Sequence, residues 1–128
     1  MREPYWLTAE ECLALHDMML SQYGGIAGVR DENLLESALA KPQQLFAYGK
    51  PDMAQLAAAY AVGIVKNHPF LDGNKRTGFM LGAGFLERNG HEFHAAEAEA
   101  ALRTLALAAG EMTEAAYAEW LKANSKRA

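Results

Sequence analysis

Residues 67–78, NHPFLDGNKRTG, crowd one histidine, one carboxylate, two amides and two adjacent cations into twelve positions between apolar stretches. Histidine is the side chain best suited to exchanging protons near neutral pH, so His68 can accept a proton from a hydroxyl. Asp72 is the only carboxylate of the stretch. Beside a phosphate, one carboxylate suits Mg²⁺, which takes one or two protein ligands and fills its shell with phosphate oxygens and water. Gly73 allows backbone torsions and a close approach that a Cβ would block. Asn74 can orient a phosphate or a metal-bound water. Lys75 and Arg76 fall in the first turn of a predicted helix, where the dipole disfavours cations. Their position makes physical sense if a polyanion occupies that helix N-terminus. Taken singly the features are ordinary: a histidine before proline ends a helix, DGN makes a turn, and Lys-Arg covers a solvated face. Concentrated within nine residues at a helix junction, they describe phosphoryl or nucleotidyl transfer, with a base, a metal carboxylate, an anion hole and positive clamps.

The elements that must position this motif are helices. Thr8 and Glu11 have capping-box spacing and open the first. Cys12, Met19, Leu20 and Tyr23, with His16 among them, form one face of it, and Gly24-Gly25 stop it. The loop GGIAGVR follows. Asp31 caps a short second helix to about Lys41, where Pro42 is expected to end it. PQQLFAYGKPD then reads as a loop that carries Phe46 and Tyr48. Asp52 and Gln55 open a buried helix, MAQLAAAYAVGIVKN. It should end near Asn67, because Pro69 disfavours helical geometry at His68. The next helix starts at about Asn74 and stops at Asn89-Gly90. Gly78, Gly82 and Gly84 inside it suggest close approach of a neighbouring backbone. HEFH is an extended link, and two further helices follow, the last capped by Thr113. The prediction is an all-α single domain over residues 1–128, with six helices and almost no sheet.

Composition bounds the function. A chain of 128 residues with 51% hydrophobic and 22% charged residues can bury one core without staples. The net charge of −4 lacks the basic footprint of a direct nucleic-acid binder. No apolar run reaches the ~18 residues of a membrane span. MREPYW is charged and lacks the apolar core of a leader, and the single Cys12 forms no internal disulfide. A cytoplasmic protein is expected. His16-Asp17 has the HD dipeptide of metal phosphohydrolases without the further ligands, so His16 reads as a core-edge residue. His91 and His94 read as solvated and Cys12 as core. No zinc spacing and no P-loop occurs.

HPFLDGNKR resembles the signature of the Fic/Doc superfamily, His-Pro-Phe-x-Asp/Glu-Gly-Asn-Gly/Lys-Arg. LTAEECLALHD, YGGIAG, LLESALAKPQ, FLERNG and LAAGEMT are similar to its Doc branch, the death-on-curing toxins of toxin–antitoxin systems. The resemblance implies a compact helical bundle with the motif at a helix–loop–helix junction. It implies His68 as catalytic base, Asp72 as the Mg²⁺ carboxylate, and Gly73, Asn74, Lys75 and Arg76 as the turn that binds the phosphates of ATP. Lys66 matches a position that is basic in some Doc-like members, and the resemblance implies a phosphate-binding role for it. Pro42–Lys50 resembles the family's target-holding flap, with Phe46 and Tyr48 either facing the target or serving as core or lid.

The AMP-transferring members have Gly where this chain has Lys75 and a second Arg where it has Phe79. Doc-type members share both departures, which go with transfer of the γ-phosphate, whereas Pro69 and Gly73 are as in the AMP transferases. The implied function is a toxin that phosphorylates a Thr or Ser hydroxyl of a translation factor, elongation factor Tu by resemblance, using ATP and Mg²⁺. The alternatives are an AMP transferase on the same scaffold and a catalytically idle antitoxin-binding module. The sequence has no Ser/Thr-to-Glu inhibitory stretch of the kind some family members carry. The resemblance therefore implies an antitoxin partner whose C-terminal segment docks near the flap, with nucleic acid contacted only through that partner.

Overall fold

A computed structural model describes residues 1–128. Six helices and a two-stranded ribbon follow one another as α1 (Ala9–Tyr23), α2 (Glu32–Tyr48), α3 (Met53–Asn67), α4 (Asn74–Arg88), β1 (His91–Phe93), α5 (Glu97–Ala108), α6 (Glu114–Ala123) and β2 (Ser125–Arg127). The expected caps are in place. Thr8 with Glu11 and Asp52 with Gln55 form reciprocal capping boxes, and Asp31 and Thr113 each accept a backbone N–H of their helix. None of the helices is long and apolar enough to cross a membrane.

α3 is the centre of the core: ten of its fifteen residues are buried. α4 lies against it at close range. A Cβ on Gly78 would come within 2.8 Å of Val65 Cγ2 and 3.0 Å of the Ala61 carbonyl, and one on Gly82 within 2.9 Å of the Ala57 carbonyl. Glycine at both positions brings the two backbones together and so fixes the angle at which the α3–α4 junction presents its loop. Around Gly84 there is open space. Opposite signs are therefore expected for one chemical change. Gly84→Ala gains helix propensity of about 0.5–1 kcal/mol with nothing to displace. Gly82→Ala makes the same gain but forces two backbones apart, for a net loss of about 1–2 kcal/mol. Thermal unfolding of the two variants checks this, and a higher Tm for Gly82→Ala would contradict the packing account.

Two expectations are corrected. Pro42 does not end α2, which runs on to Tyr48 with Pro42 buried inside it. Proline removes one helical N–H and strains the preceding turn. Here Leu39 and Pro42 enter the core, Leu45 and Phe46 pack against it, and the Phe46 ring stands edge-on to Trp6 at 5.7 Å. Burial of this continuous face outweighs the local preference. Pro42–Tyr48 is consequently the C-terminal part of α2 instead of a loop, and of the expected loop segment 42–50 only Gly49 and Lys50 lie beyond the helix. Phe46 is half-buried and packs against the core, while Tyr48 is 91% exposed. The HEFH link, in turn, is paired: β1 runs antiparallel to β2, with Glu92 opposite Lys126.

The site-bearing junction has a second neighbour. The α1–α2 connector runs beside the α3–α4 loop, with Val29 bridged to Phe70, the Leu71 N–H donating to the Gly28 carbonyl at 3.0 Å and the Asp31 N–H to that of Pro69 at 3.1 Å.

Candidate active site

α3 ends at His68, which has φ 50° and ψ 55° and is the only non-glycine residue with positive φ. That left-handed cap normally falls to Gly or Asn, so a histidine there points to a requirement for its side chain. The backbone is tied down on every side. The His68 N–H donates to the Ile64 carbonyl at 3.2 Å. Arg30 donates from Nε to the His68 carbonyl at 2.7 Å and from Nη2 to that of Asn67 at 2.9 Å. A guanidinium at a helix C-terminus satisfies orphan carbonyls and complements the dipole. The imidazole itself is left exposed. Arg30 was not singled out from the sequence, where it is only a charge closing a glycine-rich loop.

Phe70 anchors the following turn at 1% exposure, its ring stacked on that of His16 at 3.8 Å. The Asn74 amide clamps the same residue. Its Oδ1 accepts the Phe70 N–H and its Nδ2 donates to the Phe70 carbonyl, each at 3.0 Å. Asn74 is buried, so its side chain shapes the turn instead of reaching outward to a phosphate or a water, as expected above. What it offers an anion is its backbone N–H. Gly73, at φ 78°, is the N-cap of α4, and no side chain caps that helix. The N–H groups of Asn74, Lys75 and Arg76 thus have no helical acceptor.

Lys75 and Arg76 are exposed and pair with none of the chain's carboxylates. The Arg76 guanidinium lies over the Tyr23 ring at 4.4 Å. Tyr23→Ala is expected to weaken binding of inorganic tripolyphosphate roughly twofold to fivefold, the worth of an exposed cation–π contact, and Tyr23→Phe to leave it unchanged. Calorimetric titration reads both, and equal losses in the two variants would assign the effect to the phenol oxygen instead of the ring.

The Asp72 carboxylate is exposed and oriented by two backbone donors: Oδ2 accepts the Ile26 N–H at 3.2 Å and Oδ1 the Gly73 N–H at 2.9 Å. A carboxylate has about four lone-pair sites, so two remain for a cation. No group of three or more His, Cys, Asp or Glu side chains could hold a metal by itself. One free carboxylate beside an anion site fits a hard cation that draws most of its ligands from phosphate and water, as Mg²⁺ does, and does not fit a zinc cage.

An open cleft of about 1170 Å³ begins at residues 72–76 and continues between α4 and α5 past Met19, Met80, Phe93 and Leu105. It gathers Asp72, Gly73, Asn74, Lys75 and Arg76 on one wall. His68, Lys66, Phe46 and Tyr48 do not line it. Lys66 is exposed in the last turn of α3, where a cation is favourable on dipole grounds alone. Burial pushes the Cys12 thiol up to about 12, which keeps it protonated and outside this chemistry.

The model of the Fic/DOC family matches residues 6–86. The chain is 34% identical over 117 residues to the protein kinase doc of Escherichia phage P1, covering 91% of this chain and 92% of that protein. It is 41% identical over 71 residues to toxin Doc of Mycolicibacterium smegmatis, covering 53% of this chain and 54% of that one.

Proposed function

Because this chain belongs to the Fic/DOC family, we propose that it is a toxin of the Doc type that transfers the γ-phosphate of ATP to a Ser or Thr hydroxyl of a protein. The observation that carries the reading is the uncapped N-terminus of α4, with Lys75 and Arg76 unpaired beside it and the Asp72 carboxylate one residue before its cap. The β- and γ-phosphates would lie against the N–H groups of residues 74–76, with the two cations countering their charge. Asp72 would hold Mg²⁺, which supplies neutralisation of the phosphate oxygens. The target hydroxyl oxygen attacks the γ-phosphorus, its O–P bond forms, the bond to the β-bridging oxygen breaks, and ADP leaves. The hydroxyl proton goes to His68, whose exposed side chain, four residues before Asp72, can meet a macromolecular substrate.

Position 79 supports γ-transfer over AMP transfer. Where AMP transferases have a second Arg, this chain has Phe79, which packs against Phe93 at 5.8 Å and Trp120 at 6.2 Å. An aromatic cluster offers no clamp to a second phosphate group. The printed name of the phage P1 relative, a protein kinase, supports the same choice. Pro69 and Gly73 favour AMP transfer as the second reading. Elongation factor Tu is the target we infer from the resemblance, which places the action in the cytoplasm and its outcome at translation. With Pro42–Tyr48 helical, the connector at 24–30, which runs beside the motif, is the segment we infer would hold a target. An antitoxin segment is the partner that restrains such a toxin, and the apolar cleft wall next to residues 72–76 is a surface it could cover.

The deciding experiment incubates the protein with Mg²⁺ and elongation factor Tu, in parallel with ATP labelled at the γ- or at the α-phosphate. Label from the γ-position alone is expected, with a mass gain of one phosphoryl group. Label from the α-position alone would establish the AMP transferase. No label from either, across a range of targets and with a folded protein, would favour an idle antitoxin-binding module.

A further inference from the structure

The structure assigns to His16, on the far side of the chain in sequence, the role of positioning residue for Asp72; the proposal rests on the transferase reading above. His16 is only 2% exposed, on the α1 face that carries Cys12 and Met19 into the core. A leucine would fill such a place at no polar cost. Instead its Nε2 sits 2.8 Å from the Asp72 carbonyl oxygen. A carbonyl only accepts, so Nε2 carries a proton and donates it. The ring lies 3.8 Å from Phe70 at an interplanar angle of 9°, so the stack sets its plane while the hydrogen bond sets its end. A Cβ on Gly73 would meet Nε2 at 3.6 Å, an ordinary van der Waals contact, so the ring lies directly beside the turn.

The consequence follows from peptide planarity. The Asp72 carbonyl and the Gly73 N–H belong to one rigid plane. Fixing the carbonyl against His16 fixes the direction of the Gly73 N–H, and that N–H donates to Asp72 Oδ1 at 2.9 Å. The imidazole thereby sets, through one peptide plane, the orientation of an exposed carboxylate and the start of α4. The Asp72 side chain has one other hydrogen bond, from the Ile26 N–H at 3.2 Å. Supporting groups of this kind orient metal-binding side chains without touching the metal.

Three substitutions separate this role from plain packing. His16→Gln places an amide N–H at the same bond count as Nε2 and keeps the donor. His16→Phe keeps a flat ring on Phe70 and loses the donor, and His16→Leu serves as the second apolar variant should the larger ring fail to fold. The apolar variants are expected to lose about 10- to 100-fold in transfer rate per folded molecule, to need more Mg²⁺ for half-maximal rate, and to show several-fold faster amide exchange at Gly73. His16→Gln is expected to recover most of all three. Equal behaviour of Gln and apolar variants, or parent-like Mg²⁺ dependence and Gly73 exchange in the apolar ones, would overturn the assignment and leave His16 a packing residue. Amide exchange needs no activity, so a parent protein that transfers no label at all would defeat the transferase reading while Gly73 exchange still decides the positioning one.

Discussion

His68→Ala is expected to lower phosphoryl transfer by on the order of 10²–10⁴, the usual loss for a general base, with the fold retained. The imidazole is exposed, so its removal leaves the core as it was. The backbone position makes the test sharper. At φ 50° a Cβ is unfavourable, and helices that end this way prefer glycine. His68→Gly is therefore expected to be equally inactive yet more stable than His68→Ala by about 1 kcal/mol, seen as a higher Tm. A chain that keeps histidine where glycine would fold better retains strain at that point for the sake of the side chain. Toxicity or transfer at the parent level in either variant, with normal protein levels, would remove His68 from the chemistry and leave Arg30 gripping a cap of no catalytic consequence.

What the sequence disclosed and what it hid divide along the length scale of the interactions. The four capped helix starts were legible because Thr8–Glu11, Asp31, Asp52–Gln55 and Thr113 act within one turn of themselves. The anion turn was legible for the same reason, since Asp72 to Arg76 is contiguous. Pro42 misled because a local rule was applied where burial of a whole helix face decides; the apolar residues at 39, 45 and 46 carried that signal through the proline. Contacts that close long loops were out of reach. Nothing in the sequence pairs residues 91–93 with 125–127, or sends Arg30 to the end of α3. His16 is the instructive case. Its apolar surroundings rightly placed it at the core, but the partner that gives it a purpose lies 56 residues away. Asn74 went wrong by orientation: its place in the motif was readable, while the use of both ends of its amide on Phe70 was not.

Asp72→Asn is the second large effect expected, a loss of about 10²–10³ in transfer at low Mg²⁺, the scale on which removing one preorganised charge stabiliser acts. The change is isosteric and on the surface. The new Oδ1 can still accept one of the two backbone N–H groups that now orient the carboxylate, from Ile26 or Gly73. What is lost is the only negative charge of the motif, and Mg²⁺ would then be held by phosphate oxygens and water alone. Raising Mg²⁺ should therefore restore part of the rate, because mass action replaces the missing ligand. Arg76→Ala should behave differently. It removes a charge that stacks on Tyr23 and, on the proposed reading, would face the phosphates, so it should weaken ATP binding in a way that added Mg²⁺ does not repair. Titrating Mg²⁺ at fixed ATP, and ATP at saturating Mg²⁺, separates the two variants. A parent-like Mg²⁺ curve for Asp72→Asn would mean that the cation is bound elsewhere, and that Asp72 serves only to tie the connector at Ile26 to the α3–α4 turn.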